Sequence, residues 1–408
     1  MRIFMLIPTL AMGSAAWAEP LTFQTAVEKA TEQAPAILAG EAGLRASRAS
    51  AVAAGQLPDP SVSVGIDNFP ISGPPAFRPG QESMTMARVG IEQAFPNPAK
   101  RQAERTRAFA AIGTAQAGAA VSAQEVRLNA AVAWIDLYYA KRRLAQLQGL
   151  DASLNDLQAT VTARLSSGTA RPSQAYEPDQ LRAAINDRRA QLEAEVTKAQ
   201  ARLASLTGDT AADVIGDLPI FEIDREDLRA HLSETPRLAA LDADVTAANA
   251  ETDMARAAKR PDWRVSTSYG HRAPVFGDMV SVGVSIDLPL FARKRQDPLI
   301  AAREAEAERA RLNRVAGERD LGAALSSDLA DYDMHRRQLN NARVTLVPLA
   351  KRRAELDMAS YAAGKLDLGS ALLSSLALAE AEVDALTREA DVARDAVRIT
   401  YTYREGRP

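Results

Sequence analysis

Apolar and polar residues alternate strictly along Met279–Arg295, MVSVGVSIDLPLFARKR. Val280, Val282, Val284, Ile286 and Leu288 are apolar, while Ser281, Gly283, Ser285 and Asp287 between them are small or polar. A period of two is the signature of a strand with one apolar and one polar face. Its length, about nine residues, is what a tilted strand needs to cross a bilayer. Pro289 ends the strand, and Lys294–Arg295 open a long helical pattern. A near copy lies far upstream, where Val89–Pro96 precedes Lys100–Arg101. Each of these strands has an earlier companion. Ser61–Phe69 sets Val62, Val64 and Ile66 against Ser61, Ser63, Gly65 and Asp67, and Arg264–His271 sets Val265, Thr267 and Tyr269 outward. In Ser83–Phe95 the phase slips, because Met84 and Met86 oppose Val89 and Ile91, and a bulge near Ala87–Arg88 is expected.

The remainder reads as helix. Thr22–Gln33 and Pro35–Ala54 precede the first strand pair. From Asn97 to Ser166 a long helix carries Leu147, Leu150, Leu154, Leu157 and Val161 at coiled-coil spacing. Ser166–Pro172 is a turn, and a returning helix runs to Thr207 with Ile185, Leu192, Ala199 and Leu206 on one seam. The second half repeats this order: a short helix over Asp224–Leu232, a helix from Pro236, two strands, a long helix over Arg293–Ala363, a turn at Ala362–Lys365 and a last helix. That last helix has Leu372, Leu376, Ala379, Val383, Leu386, Ala390, Ala393 and Val397 spaced four and three throughout. The expected organisation is a first repeat over 19–221, with a β-hairpin at 59–96, a helix hairpin at 97–207 and a linker at 208–221. The second repeat covers 222–408, with a β-hairpin at 262–291 and a helix hairpin at 293–403. Each long helix would span roughly 105 Å, so it could lie antiparallel to two shorter helices stacked end to end.

Composition narrows the class. The 408 residues carry a net charge of −3 and no cysteine, and aromatics are 5%. This excludes disulfides, thiolate metal sites and a lipid carried on cysteine, and there is no basic run interleaved with aromatics for nucleic acid. Residues 1–18 read as a secretory signal, with Arg2, an apolar stretch over Ile3–Ala16 and an A-x-A site at Ala16–Ala18. Beyond it no apolar run approaches the ~20 residues of a membrane-spanning helix. A chain that crosses a membrane without such a helix must use strands. Four strands alone leave open edges, which lipid cannot satisfy, so the strands must join an oligomeric barrel. No catalytic constellation or cofactor fingerprint appears, and His231, His271 and His335 read as scattered surface residues. The chain is expected not to be an enzyme and to need no cofactor. Met84 and Met86 share a strand face and could contact soft cations, although packing is the commoner role for methionine there.

The double repeat resembles the TolC family of outer-membrane efflux channels over nearly the whole mature chain. Leu57–Pro60, Val64–Pro70, Met84–Met86 and Gln93–Pro98 are similar to its heavy-metal CusC/CzcC branch. The resemblance implies a mainly α fold with a small β part: a homotrimer whose helices form a periplasmic tube and whose protomers each give four strands to a twelve-stranded outer-membrane barrel. It implies a passive exit duct reached through a periplasmic adaptor from an inner-membrane RND transporter, with heavy-metal cations as cargo and drugs or other small molecules as the alternative. A periplasmic coiled-coil adaptor or scaffold is the alternative of a different class. Phe69, Phe77, Tyr269 and Phe276 at the loop ends, and Phe95, Trp263 and Phe291 at the helix ends, would form the two interfacial girdles.

The resemblance also points to the helix tips as gate and adaptor contact: Arg164, Gly168 and Arg171 in the first turn, and Tyr361, Gly364, Lys365 and Asp367 in the second. Where some family members ring the pore with acids just past each turn, this chain has Gln174, Ser370 and Leu373. Ser281, Gly283, Ser285 and Asp287 are expected to face the pore, with Val280 through Leu288 facing lipid.

Overall fold

A computed structural model describes residues 20–168, 171–209 and 213–404, with the backbone alone at 148–161, 163 and 164. The expected signal segment and the seam side chains of Leu150, Leu154, Leu157 and Val161 lie outside the described residues. The elements are α1 (Phe23–Gln33), α2 (Pro35–Ala53), β1 (Ser61–Asp67), β2 (Met86–Phe95), α3 (Pro98–Ser166) and α4 (Glu177–Thr207). They continue with α5 (Arg225–Ala230), α6 (Pro236–Ala257), β3 (Asp262–His271), β4 (Met279–Asp287), α7 (Gln296–Asn341), α8 (Val347–Ala362) and α9 (Leu368–Tyr403). No described helix is long and apolar enough to cross a membrane. The chain divides into two compact units, and each draws elements from both sequence repeats.

One unit comprises the described residues of Met1–Leu38, Ala123–His231 and Gly322–Pro408. Its core gathers Phe23 and Val27 of α1, Trp134, Ile135 and Leu137 of α3, Leu203 of α4, and Ala390 and Val397 of α9. Trp134 is fully buried and donates its indole N–H to the Leu21 carbonyl at 2.9 Å, which anchors the strand-like entry to α1. A second cluster near the tips joins Leu147, Ile185 and Leu192 to Tyr361, Leu368, Ala371 and Leu372. The seam positions Ile185 and Leu192 are 1% and 0% exposed, so the seven-residue spacing marks the buried face of α4. His335 departs from the surface reading. It hydrogen-bonds at 2.6 Å to Asp395, whose side chain is only 5% exposed, because a buried carboxylate must find a partner.

The other unit comprises Ala39–Ser122 and Leu232–Leu321. It holds one antiparallel sheet in the order β1-β2-β3-β4. The β1–β2 register runs without interruption from Ser61↔Glu92 to Asp67↔Met86. The bulge expected at Ala87–Arg88 is therefore absent. Met84 belongs to the preceding turn, and Met86 stays in phase as an apolar residue on the polar face, opposite Asp67 and packed over Gly270.

Asn97 fixes the passage from strand to helix. It is 4% exposed, its side-chain oxygen caps α3 by accepting from the Lys100 N–H at 2.8 Å, and its amide donates to Ala257, Arg260 and Asp262. Lys100 closes the knot with a 3.1 Å pair to Asp262. Gly55 ends the segment that leaves α2 with φ +67°. The backbone and side chains of Arg101 and Arg105 leave no room there for a Cβ, and Arg101 donates to the Gly55 carbonyl at 2.8 Å.

Candidate pore wall and hairpin tips

The sheet sorts its residues by face. Through the register, Ser281, Gly283, Ser285 and Asp287 of β4 stand opposite Ser268, Ser266, Arg264 and Asp262 of β3. The same face continues through Gly90 and Glu92 to Ser63 and Ser61. Two ion pairs brace it, Arg264–Asp287 at 2.9 Å and Arg88–Asp67 at 3.0 Å. Of the carboxylates on this face, Asp67 and Asp287 pair with Arg88 and Arg264 and Asp262 pairs with Lys100, which leaves Glu92 without an ion pair among the described residues. Methionine serves packing here: Met86 lies over Gly270, where no Cβ would fit.

The opposite face is apolar and bare. Val62, Val64, Ile66, Val280, Val282, Val284 and Ile286 are each more than half exposed, from 56% to 79%. Its aromatics fall at two levels. Phe69 and Phe77 meet edge to face at 6.4 Å near the hairpin loop, and Phe95 stacks on Trp263 at 4.9 Å near the helices. Contiguous exposed apolar surface of this extent marks a face that lipid or a partner covers.

The tips lie in the first unit. Gly168 and Gly364 both have φ +72°, the left-handed conformation that lets a helix reverse. At the second tip the Gly364 N–H donates to the Tyr361 carbonyl at 3.0 Å and the Lys365 N–H to the Ser360 carbonyl at 2.9 Å. That pair of bonds is a Schellman stop. Tyr361 is 6% exposed and belongs to the tip cluster, so its ring ties the two hairpins of one chain together. Arg171 and Lys365 are exposed, and no carboxylate among the described residues pairs with them. The Arg164 side chain lies outside the described residues. Gln174 accepts the Arg171 N–H at 3.1 Å, and Leu373 is 66% exposed.

Asp367 is the N-cap of α9. Its carboxylate accepts the Ser370 N–H at 2.9 Å and the Ser370 hydroxyl at 2.8 Å. Those bonds hold its carboxyl below the usual range. Glu177, at the start of α4, was missed by sequence reasoning. Its carboxylate is enclosed against the Gly369 backbone, close enough that its carboxyl carbon would touch a Cβ placed there. Burial first, and the Asp367 charge second, push its carboxyl up. Nothing in local sequence foretells this, because Glu177 and Asp367 belong to different repeats. No group of three or more His, Cys, Asp or Glu able to hold a metal ion occurs among the described residues.

Residues 228–401 match the family model of the outer membrane efflux protein. No curated protein sequence matches this chain. Solved structures share its fold across nearly its whole length. The Campylobacter jejuni CmeC outer membrane channel is 13% identical, with 93% of this chain and 85% of that chain covered and a TM-score of 0.78. A membrane protein from Pseudomonas aeruginosa is 17% identical, with 94% and 91% covered and a TM-score of 0.80. CusC is 15% identical, with 94% and 92% covered and a TM-score of 0.75.

Proposed function

We propose that this chain, which has the outer-membrane channel fold and an outer membrane efflux protein match across its second repeat, is the passive exit duct of a tripartite efflux pump. The observation that carries the reading is the sheet: a bare apolar face, a polar face, and two edge strands, β1 and β4. Lipid tolerates the first and forbids open edges. The edges are satisfied when β4 of one copy pairs with β1 of the next, and three copies of four strands close a barrel of twelve. Ser281, Gly283, Ser285 and Asp287 then line the lumen. The small side chains suit a wide exit that holds its cargo weakly.

Heavy-metal cations are the favoured cargo. The branch-specific motifs around β1 and β2 support this, together with the acid Glu92 on the polar face. Export of drugs or other small molecules by the same duct is the second reading, which the small, weakly holding side chains of the polar face allow equally. The tips carrying Gly168, Arg171, Gly364, Lys365 and Asp367 are the proposed meeting place with a periplasmic adaptor that leads to an inner-membrane RND transporter.

The test has two parts. Purified protein should run as a detergent-stable trimer and form channels in planar bilayers; a detergent-independent soluble monomer refutes the duct. A deletion strain should become sensitive to copper, silver, zinc or cobalt, and sensitivity to drugs alone reassigns the cargo.

A further inference from the structure

The helix that leads from β4 to the second tip is interrupted. Between α7 and α8, Ala342–Leu346 form a π-helical turn, closed by the Val347 N–H donating to the Ala342 carbonyl. Pro348 is the cause. It has no N–H to offer the carbonyl four residues back, and its ring collides with that carbonyl. The first long helix, α3, passes through its 69 residues without such a turn. Widened turns of this kind mark places where a helix bends.

Side chains of α9 hold the turn, and one of them is tied in turn to α3. Arg388 of α9 donates to the Gln338 carbonyl at 3.3 Å, just ahead of it. Arg343, inside the turn, pairs with Glu389 of α9 at 2.8 Å. The other oxygen of Glu389 accepts from the Tyr139 hydroxyl at 3.2 Å and from Arg142 at 3.3 Å, both on α3. Arg142 also lies over the Tyr138 and Tyr139 rings at 5.5 Å. Burial, then the Glu389 charge, raise the Tyr139 phenol well above its ordinary value, so it remains a donor. One carboxylate, 23% exposed, thus joins the continuous helix to the interrupted one.

We propose that the Ala342–Leu346 turn is the hinge of α8 and that Glu389 is the positioning residue that clasps it to α3. The proposal rests on the exit-duct reading, and gives the second tip its means of movement. Below the hinge, α8 is a lever of 16 residues, about 24 Å, that ends at the Gly364 stop. Glu389→Gln keeps the shape of the clasp but leaves Arg343 and Arg142 without a shared anion. Pro348→Ala restores the missing donor and lets the ladder close.

Amide hydrogen exchange of the full-length protein in detergent tests the hinge. Glu389→Gln should speed exchange several-fold over 342–362 and leave 126–140 of α3 unchanged. Pro348→Ala should slow exchange over 342–346, and the double variant should return α8 to the wild-type rate. A purely structural role would loosen α3 as well and would not be rescued by Pro348→Ala. Exchange unchanged in α8, or raised equally in α3, overturns the proposal. Channel conductance in planar bilayers is read separately: Glu389→Gln should raise the resting open fraction several-fold. Absence of any conductance in the wild type counts against the duct, whereas the exchange pattern alone decides the hinge.

Discussion

Two adjacent arginine substitutions in β4 should have opposite consequences. Val282 is 73% exposed in the isolated protomer and stands opposite Thr267 on the apolar face. It lies one residue from Gly283, the middle of Met279–Asp287. With a rise of ~3.4 Å per residue and a tilt of ~40°, Val282 sits roughly 2.5 Å from mid-height. An arginine facing lipid at that depth costs about 2–4 kcal/mol. Every protomer carries the change, so each loses about 2–4 kcal/mol of the ~5–15 kcal/mol that holds a typical domain together, and a barrel closed by three copies bears about 6–12 kcal/mol in all. Ser281→Arg points to the other face, where the guanidinium stays in water and alters conduction instead. The assay is the heat-modifiable band in outer-membrane fractions, followed by single-channel conductance in planar bilayers. Val282→Arg should abolish the assembled band. Ser281→Arg should assemble normally and lower cation conductance. Equal tolerance of both, or loss of assembly with Ser281→Arg alone, refutes the assignment of faces.

Asn97→Ala removes an α3 cap and several buried amide bonds at once, and should cost about 3 kcal/mol, read as a lowered denaturant midpoint in detergent. Leu192→Ala opens the tip cluster and should cost about 2–5 kcal/mol, with protease nicking of the tips as the local readout. At the tips pH acts through two carboxyls of opposite sign. The Glu177 value is raised above its ordinary 4.5, so the native state binds the extra proton and stability falls as pH rises through that window. Asp367 is lowered, so its contribution is present above the ordinary carboxylate value and is lost as pH falls through the lowered one. Glu177→Gln should remove only the first slope in a pH series of tip hydrogen exchange, and persistence of that slope would refute the assignment.

The strands were legible because alternation is a local property and each face meets one environment. Val280 through Ile286 announce their exposed apolar face in sequence, and the register then places Ser266 and Ser268 beside Ser281 and Gly283. The helix hairpins were legible for the same reason: Ile185 and Leu192 repeat at a fixed period and are buried together. The false bulge arose from reading Met84 as a strand residue and from assuming that Met86 must share the apolar face, whereas it sits on the polar face over Gly270. What stayed hidden depends on long-range encounter. His335 finds Asp395, Glu177 comes beside Asp367, and Glu389 gathers Arg142 and Arg343 from two other helices. Pro348 was visible, but one proline inside a long helical pattern does not say whether the helix kinks, breaks or widens into a π turn.

The pairing of β2 with β3 has a consequence for how the molecule is made. β1–β2 and β3–β4 are local hairpins, whereas Ala87 finds His271 only after the whole of α3, α4, α5 and α6 has been synthesised. Contacts so distant along a chain form late. During synthesis the first hairpin must therefore wait with an apolar face and two unpaired edges, the kind of surface that recruits wrong partners. Shielding that hairpin until the second repeat arrives is a demand the topology places on the cell, and delayed synthesis of the C-terminal half should appear as aggregation seeded by residues 61–95.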